Sequence, residues 1–413
     1  MSEADARVTA APQAPPKASN IPAVSQVSPI ARIIRLAAGI AALAIIALLM
    51  FAPSLWPVVT RLDHWTADWR TAYLSRRPVT QNNRIAVVTI SDETLRNFVS
   101  SPIDRGLLAD IVIAVDAAGA RSIGLDILFL KATEPAKDAR LLDALKAARA
   151  EIILGAVDER GDLLPFQREF QSDFLTRTGR GAGYLNLRLE NDDVVRFAAS
   201  PGPASAYPAS FAYRLARTAD TRATSDAGMP IPWLLPAADG KPPLLSVPAE
   251  KLLDTNTTGA RSTAAQLKDR VVLIGGEFPF RDRHRVPLSV RTLVELPGVM
   301  IHATVVAGLL DPQSQIAEIS PWMTRIVLAT VALGGIAMGL ALWRSMSIAF
   351  LGHGFAVAVL LAADAFCFTG LHILLPFTLA VTAWVAGLTA GRFFGAFGWA
   401  PFAARQEAER GTS

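Results

Sequence analysis

Acidic residues stand where the β-branched runs of this sequence end, and that placement is the feature best suited to chemistry. Asp92 follows Arg84–Ile90 (RIAVVTI), and Asp126 lies within Arg121–Phe129 (RSIGLDILF). Asp158 follows Glu151–Val157 (EIILGAV), and Glu277 follows Arg270–Gly275 (RVVLIG). Gly275 and Gly276 allow a close backbone approach there. Carboxylates from separate strands, gathered at one rim, could hold a cation or a polar solute. The plainer use of each is to cap the next helix. A charge run follows at Arg281-Asp282-Arg283-His284-Arg285. It could hold an anion or gate a cleft, or simply be a solvated loop in which Asp282 pairs with an arginine. His302 stands at the opening of an apolar helix, as a ligand contact or as a buried, hydrogen-bonded histidine. The candidate ligand-binding residues are therefore Asp92, Asp126, Glu277, Asp282, Arg283 and His302. Catalysis would need a positioned acid–base pair, and no Walker loop, nucleophile elbow, HExxH or CxxC is present. No enzymatic activity, no cofactor and no metal site is expected.

The elements that must position these residues are legible. Helical spacing of apolar residues covers 104–118, 136–150 and 208–219, alternating with the strands. Strand–helix–strand alternation predicts an α/β layer with largely parallel strands. Ligands of such sheets sit beyond the carboxyl ends of the strands. The segment 221–269, rich in Pro, Gly, Thr and Ser, is expected to be mostly loop.

Around this domain the hydropathy changes character. Apolar segments at 33–53, 322–343, 346–368 and 373–394 approach or exceed the roughly 17–25 residues that span a bilayer as a helix. The expected architecture is an α/β extracytoplasmic domain, 54–320, inserted between one N-terminal and three C-terminal transmembrane helices. Residues 1–32 read as a disordered cytoplasmic arm and 395–413 as a short cytoplasmic tail. The first segment reads as a retained anchor. Arg32, Arg35, Arg344, Arg392, Arg405 and Arg410 mark the cytoplasmic ends, whereas Thr369–His372 has no Lys or Arg. These basic residues imply a bacterial inner-membrane protein with both termini cytoplasmic and the large domain periplasmic. They also account for much of the formal net charge of +4, so nucleic acid is not an expected partner. The single cysteine, Cys367, excludes a disulfide within the chain. Gly335 and Gly339 in the second segment, and Gly387, Gly391 and Gly395 in the fourth, are spaced for close helix packing. That packing could lie within the chain or between two copies as a homodimer. His353 and Asp364 are about 16 Å apart along the third segment. Each must therefore find its own partner, on a neighbouring helix or at an interface.

Several motifs in order carry a resemblance. Asp269–Leu310 ends a strand in Ile-Gly and continues through an Asp-containing loop and a Pro-Leu pair to Pro297-Gly298-Val299-Met300-Ile301-His302-Ala303. Pro102-Ile103-Asp104-Arg105, then Gly119-Ala120 with Gly124-Leu125-Asp126-Ile127, then Asp192-Asp193-Val194-Val195-Arg196 precede it. Together these resemble the type-two CHASE domain, the cyclase- and histidine-kinase-associated extracellular sensor. Asp193 stands where that family usually has glycine. The resemblance covers about 54–312 and implies a sensor followed by three spans and then a cyclase or kinase. Gly395–Ser413 is too short to fold as such a domain. The expected role is a sensor that binds a small ligand or envelope component and signals through the bilayer to a separate kinase, cyclase or other signalling protein. An envelope scaffold that binds a periplasmic protein, and a periplasmic hydrolase or transferase, are the alternatives.

Overall fold

The computed structural model describes residues 28–52, 55–98, 101–253 and 258–410. Most of the expected N-terminal arm therefore lies outside the described residues. The chain opens with two helices, α1 (Pro29–Phe51) and α2 (Pro57–Leu74). Alternation then begins with β1 (Ile85–Ile90), α3 (Arg105–Ala117), β2 (Ser122–Asp126), α4 (Pro135–Ala147), β3 (Glu151–Ala156), α5 (Pro165–Thr178) and β4 (Gly181–Tyr184). A small ribbon of β5 (Arg188–Leu189) and β6 (Val195–Phe197) leads to α6 (Phe211–Ala219). Next come β7 (Leu245–Pro248), α7 (Glu250–Leu253), α8 (Thr258–Ala265) and β8 (Val271–Gly276). The domain closes with β9 (Arg283–His284), α9 (Ser289–Thr292), β10 (Leu296–Pro297) and α10 (Gly298–Leu310).

The main sheet is parallel throughout, in the order β4-β3-β2-β8-β1-β7. Its central strands are buried on both faces, which is why they read as unbroken apolar runs. Side-chain alternation splits them between two cores. Val88, Ile123, Leu154 and Ile274 pack with α3, α4 and α5 on one face. Ile85, Val87, Val271 and Leu273 pack with α6 and α10 on the other. The α6 layer presses closely: a Cβ at Gly183 would lie 2.5 Å from the Phe211 backbone. The 221–269 expectation needs correction. That segment supplies the edge strand β7, whose Leu245–Pro248 pairs with Ala86–Thr89, and the helices α7 and α8. Its Pro and Gly hid a strand of only four residues.

Among the described residues, four helices are long and apolar enough to cross a membrane: α1, α11 (Pro321–Ala341), α12 (Met346–Gly370) and the Phe377–Ala396 part of α13 (Phe377–Arg410). Two boundaries differ from expectation. Ile373–Leu374 forms a short strand, β12, that pairs with β11 (Ala317–Glu318), so the last helix starts only at Phe377. That helix also continues unbroken to Arg410, so the expected tail is helical over 395–410. The glycine stripes meet one another within the chain. A Cβ on Gly391 would overlap the Ile336 carbonyl oxygen, one on Gly387 that of Ala332, and one on Gly339 that of Leu388. A Cβ on Gly335 would lie 2.5 Å from the Trp384 carbonyl oxygen, and Gly395 faces the Trp343 side chain.

The amphipathic helix α2 joins bundle to domain. Asp63 accepts from the Thr378 amide at 2.8 Å, and the Thr66 and Thr378 hydroxyls meet at 3.0 Å. Arg70 donates to Asp364 of α12. On its other side Asp68 receives both arms of Arg196 at 2.7 Å.

Glycine packing of this kind has a direct test. Gly391→Leu forces a side chain into a backbone contact and should destabilise the full chain in detergent by about 1–3 kcal/mol. Gly354→Leu, at a helical position with nothing within 4 Å, should leave the melting temperature unchanged. Equal melting temperatures for the two variants would contradict the packing.

Candidate functional site

The carboxyl ends of β2 and β8 frame a cavity of about 370 Å³. Asp126 ends β2 and lies beside Gly275 in register. A Cβ on Gly275 would come within 3.2 Å of the Asp126 Cβ, so glycine is what lets the strands carry the acid this deep. Opposite, Asp282 sits over the start of α10. Gly298 donates its amide to the Asp282 carbonyl at 3.2 Å, and a Cβ on Gly298 would stand 2.8 Å from the Asp282 carboxylate. One turn further along α10, His302 is buried edge-on against Phe211, with ring centres 5.6 Å apart. Arg105, Asn186, Phe278 and Pro102 complete the wall.

Arg105 enters from the first turn of α3. Asp104 caps that helix, accepting from the Leu107 amide at 3.0 Å, and is itself held by Lys137 at 2.7 Å. The cap places the next side chain inward. The Arg105 guanidinium lies over the Phe129 ring at 4.4 Å and comes only to 3.7 Å from Asp138. Its Nη1 is buried without an acceptor, and so is Asp126 Oδ2 without a donor. Buried polar atoms left unpaired cost roughly 1–3 kcal/mol each.

Electrostatics sharpen the picture. Burial raises the Asp126 carboxyl well above its usual range, and the nearby Asp282 charge adds to this. Burial lowers Arg105 to about 10, opposed by Asp138, which leaves it cationic at neutral pH. Burial also lowers His302 to about 4, against Asp282 and its backbone bond to Leu185, so its ring is neutral. The cavity thus offers the Arg105 cation, a neutral imidazole, the Asp126 carboxyl shifted toward its protonated form, and the Asp282 carboxyl group. Among the described residues no group of three or more His, Cys, Asp or Glu is arranged to hold a metal ion.

The structure brings together Asp126, Asp282 and His302 of the expected set, and separates the rest. Asp92 and Glu277 face solvent, and neither lines the cavity. They lie just past the last paired residues of β1 and β8, where the chain turns away from the rim. Asp158 is folded back onto Arg160. Arg283 donates to the carbonyls of Phe278 at 3.3 Å and Glu295 at 2.5 Å, which fixes its loop and keeps it out of the cavity. The Asp282 partner is His284 at 3.1 Å, not an arginine. Arg105 was missed as a site residue. Its signal was the Pro102–Arg105 motif, which marks a helix start and also aims a cation at the rim.

The two buried groups predict a particular pH response. Folded Asp126 keeps its proton above 3.8, whereas the unfolded chain releases it there, so this group lowers stability as pH rises. Unfolded His302 takes up a proton near 6.5, whereas the folded ring resists until about 4, so this group raises stability as pH rises across that window. Asp126→Asn should therefore make stability climb more steeply between about pH 4 and 6.5. His302→Asn should make it fall there. Melting temperatures of the full chain across this range check both signs, and identical slopes in all three proteins would contradict the assignment.

Comparison with known proteins returns one family. The family model of the CHASE2 domain matches residues 40–341. No curated protein matches the chain. No solved structure matches it either. Asp193, at the position where glycine is usual, takes a positive φ of 59°, the left-handed conformation that favours glycine. With most of the chain covered, and with four candidate membrane helices beside an α/β domain, this protein belongs to the CHASE2 family of membrane-associated sensory domains.

Proposed function

We propose that this chain is an inner-membrane sensor whose periplasmic domain binds a small anionic solute at the rim cavity. The observation that carries the proposal is the pair of unmet polar atoms, Arg105 Nη1 and Asp126 Oδ2, buried in one cavity. A carboxylate or phosphate group satisfies both, accepting from the guanidinium and from the protonated carboxyl. The role is non-catalytic: the site binds and reports. Orientation rests on Arg32, Arg35, Arg344 and Arg392 at one set of helix ends.

Transmission has a continuous route in this reading. Asp282 borders the cavity, and the segment beyond it carries α9, which packs on α2 with Arg291 over Tyr73 at 5.4 Å. The same segment pairs with the ribbon bearing Arg196, through the Val195 amide and the Arg285 carbonyl at 2.9 Å. Arg196 grips Asp68 of α2, and Arg70 of α2 grips Asp364 of α12. A ligand shifts this arrangement only by binding one form better than another. A separate signalling protein, or a second copy of the chain, then receives the movement through the membrane helices.

Phe280 and Leu293 favour a second reading, an envelope scaffold. They stand 96% and 90% exposed on the segment flanking the cavity, as a protein-docking patch would. A thermal-shift screen of the full chain in detergent, using small carboxylates and phosphates, separates the two. At a concentration a hundredfold above the dissociation constant, a cognate solute should stabilise by about 2.7 kcal/mol. Arg105→Lys and Asp126→Asn should each weaken that response at least tenfold in affinity. No response across the panel, with a stoichiometric envelope protein copurifying, would replace the sensor with the scaffold.

A further inference from the structure

A second chamber, of about 360 Å³, lies where the domain meets the helix bundle. It falls within the roughly 300–1,000 Å³ of small-molecule sites. On one side it is bounded by the ends of long apolar helices, at Leu49 and Phe51 of α1, Thr324 of α11 and Leu379 of α13. On the other side stand α2 and the domain residue Trp233. Two buried donors line it without a protein acceptor. Trp233 is 3% exposed and its Nε1–H is unpaired; Arg70 is 7% exposed and its Nε–H is unpaired. Both want an acceptor, and the unmet groups are costly where they stand.

Three carboxylates, Asp63, Asp68 and Glu318, line the chamber beside Arg70, Arg196 and Arg325. Arg70 is matched by Asp364, and Arg196 by Asp68 and Asp192. Arg325 donates to the Met50 carbonyl at 3.2 Å and lies over Phe51. The two unpaired donors call for an acceptor, and the three carboxylates beside them oppose an anion, so the fitting head group is a neutral acceptor. The apolar helix ends beside it suit a hydrocarbon tail. We propose that this chamber binds a carbonyl-bearing amphiphile drawn from the bilayer. Its carbonyl accepts from Trp233 and Arg70, and its tail lies among the ends of α1, α11 and α13. An acyl ester of a glycerolipid and a membrane quinone share this chemistry. The site is separate from the rim cavity and shares no lining residue with it.

The test uses the full chain in nanodiscs with photoactivatable, diazirine-tailed amphiphiles, and maps the crosslinked peptides. The probes are an ester-linked phospholipid, its ether-linked counterpart, which lacks the carbonyl, and a quinone. The ester lipid or the quinone should label peptides bearing Leu49–Phe51 and Thr324, and the one that labels names the source. The ether lipid should label only outward faces such as that of Phe355, which is 72% exposed. Trp233→Phe keeps the ring, removes the donor, and should cut chamber labelling roughly fivefold or more. Thr324→Trp fills the chamber from the membrane side and should abolish that labelling, leaving Phe355 labelling intact. Chamber labelling by neither carbonyl probe, equal labelling by the ether lipid, or labelling that neither variant lowers would overturn the proposal.

Discussion

A carboxylate on an apolar helix cannot be left unpaired, and the rest of this structure is arranged around that constraint. Asp364 sits on α12, whose other buried residues are few, and its partner comes from outside the bundle, as Arg70 of α2. Breaking a buried pair by removing one member costs about 3–5 kcal/mol, although the intact pair adds little net stability over apolar packing. The pair therefore acts mainly to fix geometry. Asp68, two residues before Arg70 on α2, repeats the device: it is held by Arg196 of β6, whose guanidinium is shared with Asp192. An eighteen-residue helix is thus gripped from the domain and from the membrane helices through side chains almost adjacent in sequence.

This gives the sensor fold a defined joint. The sheet itself is a rigid slab, paired strand to strand and packed on both faces. Nothing in it need deform for a rim ligand to matter. The connecting element is the 282–297 segment, which touches the cavity at one end and α2 in its middle. In the proposed sensor, changes in how Asp282 is held beside Gly298 would reach Arg285, Arg291 and, through the ribbon, Arg196. Glycine at 298 is essential to that contact, because any side chain would push the carboxylate away.

The sequence made much of this legible, for identifiable reasons. Parallel strands buried on both faces leave continuous apolar runs, so β1, β2, β3 and β8 were plain, as were the long apolar helices. The edge strand β7 and helix α5 were not read. β7 is short and flanked by Pro and Gly, and α5 buries only a narrow stripe: Gln171, Phe174, Leu175 and Thr178. At the rim, strand-end position alone could not separate Asp126, which points inward beside a glycine, from Asp92 and Glu277, which point out. Nor could spacing show that Asp364 pairs with Arg70, since the two lie 294 positions apart in the chain. Arg105 illustrates the same limit: its motif was visible, but only the Asp104 cap and the Phe129 ring show where its charge goes.

The joint can be tested without knowing any ligand. Arg70→Met, Asp364→Leu and the double variant, unfolded as full chains in detergent, form a double-mutant cycle. The account predicts that each single change destabilises by about 3–5 kcal/mol and that the double change costs far less than their sum, because apolar partners replace the pair. Single effects that add to give the double would show that Arg70 and Asp364 do not act together, and would contradict α2 as the joint between domain and membrane.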